Sequence, residues 1–199
     1  PEINELPYKK SDVFRFGSFN SFKKISDDVI KVWSKIINHS NCELYLKNSG
    51  GYNKEIYNNL LKKFENENVD LKKIVFLKKS KSTEFMKDYY KIDLALDTFP
   101  FTGVTTSFQS CLMGVPVLTL KGFNMNSRCG ESINTNLGLN DFIADNYDEY
   151  YKKSISLQDK NKLSNLRSSL RKKVLGSSLF DIDNFTKDLT RAFEKILKK

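Results

Sequence analysis

Leu96-Asp97-Thr98-Phe99-Pro100-Phe101-Thr102-Gly103-Val104-Thr105-Thr106-Ser107-Phe108-Gln109-Ser110 runs from the end of an apolar strand, through a Pro/Gly loop, into the start of a helix. In an α/β protein that passage aims a helix N-terminus at the face where ligands collect, because free N–H groups and the positive end of the helix dipole meet there. Such a terminus suits a phosphate or diphosphate, and Thr105 and Thr106 add hydroxyls in its first turn. The competing reading of the two threonines is local: either could simply cap its own helix.

Outward from that passage, short β-branched and aromatic runs alternate with helical patterns, the signature of repeated βαβ units around a parallel sheet. Six strands are expected: Val13 to Phe19, Glu43 to Lys47, Lys73 to Leu77, Leu94 to Asp97, Val115 to Leu120 and, weakest, Asp141 to Ala144. A helix follows the N-cap Ser26-Asp27-Asp28, with Val29, Ile30, Val32, Trp33, Ile36 and Ile37 at helical spacing. Others run from about Asn53 to Glu65 and from about Ser82 to Tyr90, and Tyr147 to Ser156, Lys160 to Leu175 and Asp183 to Leu197 close the chain. The expected fold is α/β, a Rossmann-like, doubly wound, mostly parallel six-stranded sheet with C-terminal helices. Residues 1–12 read as a leader or a linker between lobes, and 13–199 as a single domain of adequate size for one core.

Composition narrows the function. Of 199 residues, 39% are hydrophobic, and no apolar run nears the roughly 20 residues of a membrane span. No signal peptide is visible, and Cys42, Cys111 and Cys129 are odd in number and widely spaced, with only His39 as a further soft ligand, so neither a disulfide framework nor a zinc site is expected. Reduced thiols in the cytoplasm are the expectation. The net charge of +9 favours anionic partners. Pairs such as Lys62-Lys63 and Lys72-Lys73 read as solvated helix ends, and no nucleic-acid-binding signature or aromatic stacking platform accompanies them. Asp181-Ile182-Asp183 has the form of a DxD metal motif, yet sits where acidic residues cap the last helix. A lysine from Asn20-Ser21-Phe22-Lys23-Lys24-Ile25, the loop after the first strand, could reach the same crevice as the Thr105 helix.

These residues together resemble the C-terminal catalytic lobe of the O-linked N-acetylglucosamine transferase family and its bacterial and Spindly-type relatives, which have the GT-B fold. The runs that carry the resemblance are Phe16 to Ile25, Asp93 to Pro100 with Gly103-Val104-Thr105-Thr106, and Gly114 to Leu120. Ser127-Arg128-Cys129-Gly130, Gly138-Leu139 with Phe142-Ile143-Ala144, Leu166-Arg167 with Leu170-Arg171, and Ser178-Leu179-Phe180-Asp181 extend it, so that it covers about Val13 to Leu197. The resemblance implies a donor-binding lobe of an inverting, metal-independent glycosyltransferase that moves a sugar, N-acetylglucosamine from UDP-GlcNAc, to Ser or Thr of a protein. It implies no cofactor beyond that nucleotide sugar. Lys24 matches the family lysine that contacts the diphosphate and stabilises the departing charge, and Thr105 and Thr106 match the threonines that hold phosphate. Ser21 falls where a polar donor-side residue stands, and the backbone around Ser80 where the nucleobase edge is read.

Three positions depart from the family pattern. Gln109 replaces an aspartate that accepts the ribose hydroxyls, Phe85 a histidine set against the base, and Val104 the histidine before the Thr-Thr pair. Phe85 also fits the core stripe of its own helix. These departures leave open a GDP-sugar donor, or a glycan or asparagine acceptor. A non-catalytic basic nucleotide- or nucleic-acid-binding module on the same fold is the other alternative. A GT-B enzyme needs a second lobe, so the resemblance implies a longer parent in which an N-terminal lobe, often with tetratricopeptide repeats, meets the protein acceptor. Alone, the chain is expected to turn over poorly or not at all.

Overall fold

A computed structural model describes residues 1–48, 53–78, 80–81 and 84–197. Six strands, β1 (Phe14–Ser18), β2 (Cys42–Leu46), β3 (Ile74–Phe76), β4 (Leu94–Leu96), β5 (Val117–Leu120) and β6 (Ile143–Ala144), form one sheet of order β3-β2-β1-β4-β5-β6. Every pairing is parallel. The chain builds outward from β1 to β3, returns to place β4 against β1, and builds outward again on the other side. The order therefore reverses between β1 and β4, and outside the carboxyl ends of strands at such a reversal is where ligands bind in open α/β sheets; a small pocket there is lined by Asn20, Asp97, Thr106 and Ser107.

Strands covered on both faces must be apolar throughout, and β4 is Leu-Ala-Leu with every residue buried. Helix α1 (Asp27–His39) is capped by the Ser26 side chain, which accepts from the Val29 N–H at 3.3 Å, and buries Val29, Ile30, Val32, Trp33, Ile36 and Ile37. Helices α2 (Lys54–Asn66), α3 (Thr105–Leu112), α4 (Met125–Asn136), α5 (Tyr147–Ser156), α6 (Lys160–Leu175) and α7 (Ile182–Leu197) complete the layers. Burying a Leu-, Ile- or Phe-sized side chain contributes about 1.5–3 kcal/mol, so the α1 stripe alone outweighs what capping adds.

The expected sheet is present; β2 has its expected length but begins one residue earlier, and the other five strands are shorter at their ends. Two elements differ more. The segment expected as a helix from Ser82 to Tyr90 is, over its described part, a 3₁₀ helix at Phe85–Lys91, while Ser82 and Thr83 lie outside the described residues. The tighter winding brings Phe85, Asp88 and Lys91 onto one edge at i, i+3 spacing. Helix α4 is absent from the sequence expectations because its buried face is Ser127, Gly130, Ile133 and Asn134, with hardly an apolar stripe to see. It packs by close approach: a Cβ on Gly130 would lie 2.2 Å from the Thr119 hydroxyl oxygen and 2.7 Å from Asp97 Oδ2.

The first twelve residues, expected as a leader or linker, pack on the domain. Leu6 is 1% exposed, and the Tyr8 and Arg15 N–H groups donate to opposite oxygens of Asp93 at 2.8 and 2.9 Å. The buried guanidinium of Arg167 donates to the Asn4 carbonyl and side chain at 3.0 and 2.6 Å, and to the carbonyls of Ile92 and Tyr89 at 3.0 and 3.2 Å. Helix α7 buries no residue and carries Ile182, Phe185, Leu189, Phe193 and Ile196 along one side.

Candidate functional site

Asp97 directly follows β4, is 1% exposed, and organises the loop it opens. Its Oδ1 accepts from the Gly103 N–H at 2.6 Å and the Thr98 N–H at 3.0 Å, and its Oδ2 accepts from the Thr119 hydroxyl at 2.9 Å. The loop is tied again where the Thr102 hydroxyl donates to the Asn126 carbonyl at 2.9 Å, and the Phe99–Pro100 peptide is cis. The outcome is a fixed entry into α3. Its N-cap is Val104, which is exposed, and among the described residues no side chain caps the helix. Neither threonine takes the capping role: Thr105 is exposed, and the Thr106 hydroxyl instead donates to Asn20 Oδ1 at 2.8 Å, reaching across to the end of β1.

Lys24 comes to the same loop from the β1 side. It ends a 3₁₀ turn at Phe22–Lys24, whose N-cap is the half-buried Ser21. The Lys24 ammonium donates to the Thr102 carbonyl at 2.9 Å and lies 3.9 Å from the centre of the half-exposed Phe101 ring. Burial lowers its pKa below the ordinary lysine value, while the nearby Asp97 carboxylate opposes that shift. Gln109 is half-buried one turn along α3 from Thr105 and Thr106. Lys24, through the Thr102 carbonyl, and Thr106, through Asn20, thus come together on one side of the β1/β4 reversal, with Ser21 on the adjoining turn and Val104, Thr105 and Gln109 at the start and along the first turns of α3.

Ser80 and Phe85 belong to an adjoining wall at the ends of β2 and β3. The Lys47 ammonium donates to the Ser80 hydroxyl at 2.7 Å, pairs with Asp88, and sits 4.5 Å from the centre of the Phe85 ring. Phe85 meets Phe19 and Tyr89 edge-on, and the Tyr89 hydroxyl donates to the Thr106 carbonyl at 3.0 Å, joining the two walls. Sequence reasoning missed Asn20, Lys47, Asp88 and the role of Asp97. A lysine closing an otherwise buried strand and an aspartate before a Thr-Phe-Pro turn were the available signals.

Of Asp181 and Asp183, the first caps α7, accepting from the Asn184 N–H at 3.1 Å, and the second lies in the helix's first turn. Among the described residues no group of three or more His, Cys, Asp or Glu side chains is placed to hold a metal ion. Cys42, Cys111 and Cys129 are free thiols, and no helix is long and apolar enough to cross a membrane among the described residues.

Burial pushes the Asp93 and Asp97 carboxyls up to about 6, against the hydrogen bonds that favour their ionised forms. An unfolded aspartate titrates near 4, so the unfolded chain holds fewer protons between about pH 4 and 6. The stability these two groups contribute is full below about pH 4 and is lost as pH rises through about 6. The urea midpoint is therefore expected to rise or hold steady from pH 7 to pH 5, and Asp93→Asn with Asp97→Asn to flatten that profile. A midpoint that falls over this range, equally in both proteins, would contradict the assignment.

The parallel sheet, its reversal and its flanking helices form a Rossmann-like lobe, and its match to an O-GlcNAc transferase makes it the catalytic lobe of the GT-B glycosyltransferase class. Residues 5–189 match the model of Glycosyl transferase family 41, and the chain belongs to that family. It is 34% identical over 194 residues to the probable UDP-N-acetylglucosamine–peptide N-acetylglucosaminyltransferase SPINDLY of Solanum lycopersicum, covering 92% of this chain and 20% of that protein. The Arabidopsis thaliana SPINDLY protein is likewise 34% identical, over 92% of this chain and 20% of its own length. Among solved structures, the Thermobaculum terrenum O-GlcNAc transferase superposes with a TM-score of 0.86 at 30% identity, over 93% of this chain and 36% of that one. A sucrose-phosphate synthase of Thermosynechococcus elongatus, at a TM-score of 0.62 and 10% identity, shares the fold alone. The chain thus spans about a fifth of the length of these curated relatives.

Proposed function

We propose that this chain is the donor-binding lobe of an inverting, metal-independent glycosyltransferase that moves N-acetylglucosamine from UDP-GlcNAc to a Ser or Thr hydroxyl of a protein. The observation that carries the reading is the meeting, at the β1/β4 reversal, of a helix start that no described side chain caps with the Lys24 ammonium. The acceptor oxygen attacks the anomeric carbon, the bond from that carbon to the β-phosphate oxygen breaks, and UDP departs with the electron pair. Attack from the face opposite the leaving group inverts the centre. Negative charge grows on the diphosphate as the bond breaks, and fixed donors and a cation aimed there lower the barrier. Lys24 supplies the cation, and the first N–H groups of α3 with the Thr105 and Thr106 hydroxyls supply the donors. Gln109 and Ser21 flank the sugar and ribose side, Ser80 and Phe85 the base.

In this reading the acceptor, and the base that takes its proton, belong to the rest of a longer parent: a second GT-B lobe and, as in relatives of this family, tetratricopeptide repeats. The parent works in the cytoplasm, where the three free thiols stay reduced. The reading is tested with that parent, UDP-GlcNAc and a Ser/Thr peptide in the presence of EDTA. A β-linked product formed without metal supports it; an α-linked product, a metal requirement or transfer to asparagine overturns it.

A further inference from the structure

The Lys47–Asp88 pair is buried at the edge of the candidate crevice, with side chains 4% and 8% exposed. It joins three separate stretches: the end of β2, the loop after β3 and the 3₁₀ helix. Lys47 holds Ser80 at 2.7 Å, Ser80 donates to Asp88 at 2.6 Å, and Lys91 donates to the other Asp88 oxygen at 2.8 Å. Burial pushes the Asp88 carboxyl up, yet the hydrogen bonds from Lys47, Lys91 and Ser80 outweigh it and hold the group below its ordinary value. Asp88 therefore stays ionised, and the ammonium over Phe85 stays paired.

A pair of this kind gives little stability. Desolvating two charges offsets most of their attraction, and well-packed apolar residues of similar volume often do as well or better. What the pair supplies is placement. It fixes a hydroxyl, Ser80, and an aromatic ring, Phe85, on the same wall, and Tyr89 ties that wall to the start of α3. A hydroxyl and a ring held on a wall that Tyr89 ties to the start of α3 have the chemistry to recognise a nucleobase, by an edge hydrogen bond and by ring contact.

We infer that Lys47 and Asp88 are positioning residues that determine nucleobase selectivity, by setting Ser80 and Phe85 against the base of the bound nucleoside diphosphate. The inference rests on the donor-lobe reading, in which Ser80 and Phe85 already face the base, and adds to it the ion pair that holds them there. Diphosphate binding and base reading are then separable, the first belonging to Lys24 and α3 and the second to the Lys47–Asp88 wall.

The test is calorimetric titration of the chain with UDP, GDP and inorganic pyrophosphate, in wild type and in a Lys47→Met/Asp88→Leu double variant. The double variant is used because a single change leaves an unpaired buried charge that could prevent folding. It is expected to keep or raise the thermal midpoint, to bind pyrophosphate within about twofold of wild type, and to lose about tenfold in UDP affinity as the ratio of UDP to GDP affinity moves toward one. An unchanged ratio overturns the inference, and so does a parallel fall in pyrophosphate binding, which would make the pair a general prop. Wild type that binds neither nucleotide nor pyrophosphate would instead overturn the donor-lobe reading itself, and the inference with it.

Discussion

Lys24→Ala is expected to weaken UDP binding by this chain about tenfold or more, since a hydrogen bond to a charged group contributes about 1.5–3 kcal/mol. In a parent that transfers sugar, the same change is expected to lower kcat by about 10²–10³, the size of effect seen when a fixed donor to developing charge is removed. The split follows from the chemistry: ground-state diphosphate is already charged, and the departing diphosphate more so, so the cation gains strength along the reaction. Folding should survive. Lys24 is half-buried, and its partners are one carbonyl and the face of a half-exposed ring. Calorimetry and single-turnover kinetics, read beside a thermal melt, check both parts. A variant that melts normally and binds and transfers like wild type would remove Lys24 from the site.

Asp97→Ala should act on the fold first. Four donors, the Gly103 and Thr98 N–H groups, the Thr119 hydroxyl and, at 3.4 Å, the Asn20 amide, lose their acceptor inside the protein. Each buried donor left unpaired costs about 1–3 kcal/mol, partly offset because a carboxylate that burial disfavours is also removed, so a net loss of about 2–5 kcal/mol is expected. Asp97→Asn keeps one acceptor oxygen for Gly103 and Thr98 and should cost much less. Gly103 and Thr102 lie on the loop that leads into α3 and receives Lys24, so the alanine variant should also lose diphosphate affinity at temperatures where it remains folded. Urea unfolding with titration at 10 °C separates the two effects; equal stability of the alanine and wild-type proteins would show that the loop does not depend on this carboxylate.

The sheet was legible because parallel strands announce themselves as short apolar runs between helical stripes. Phe14, Phe16, Leu44, Leu46, Leu94 and Leu96 are such residues, and all are buried. Helix α4 was not legible, since Gly130 and Ser127 pack it by their smallness and leave no hydrophobic period to detect. The site divided in the same way. Lys24 lies in the turn after β1 and Thr105 and Thr106 open α3 after β4, positions beyond strand ends that suggest a role from the fold alone. Asn20, Lys47 and Asp88 owe their roles to partners 86, 33 and 41 residues away, Thr106 for the first, Ser80 for Lys47 and Lys47 for Asp88. Nothing local in the sequence could have joined them.

The central claim is that the β1/β4 crevice holds the diphosphate of a nucleotide sugar between Lys24 and the start of α3. Titration of amide-labelled protein with UDP-GlcNAc, followed by NMR, tests it most directly. The account predicts saturable shifts concentrated at Gly103 to Ser107 and around Lys24, competed away by inorganic pyrophosphate. Shifts confined to other faces of the domain, or none at millimolar donor in a folded sample, would contradict it.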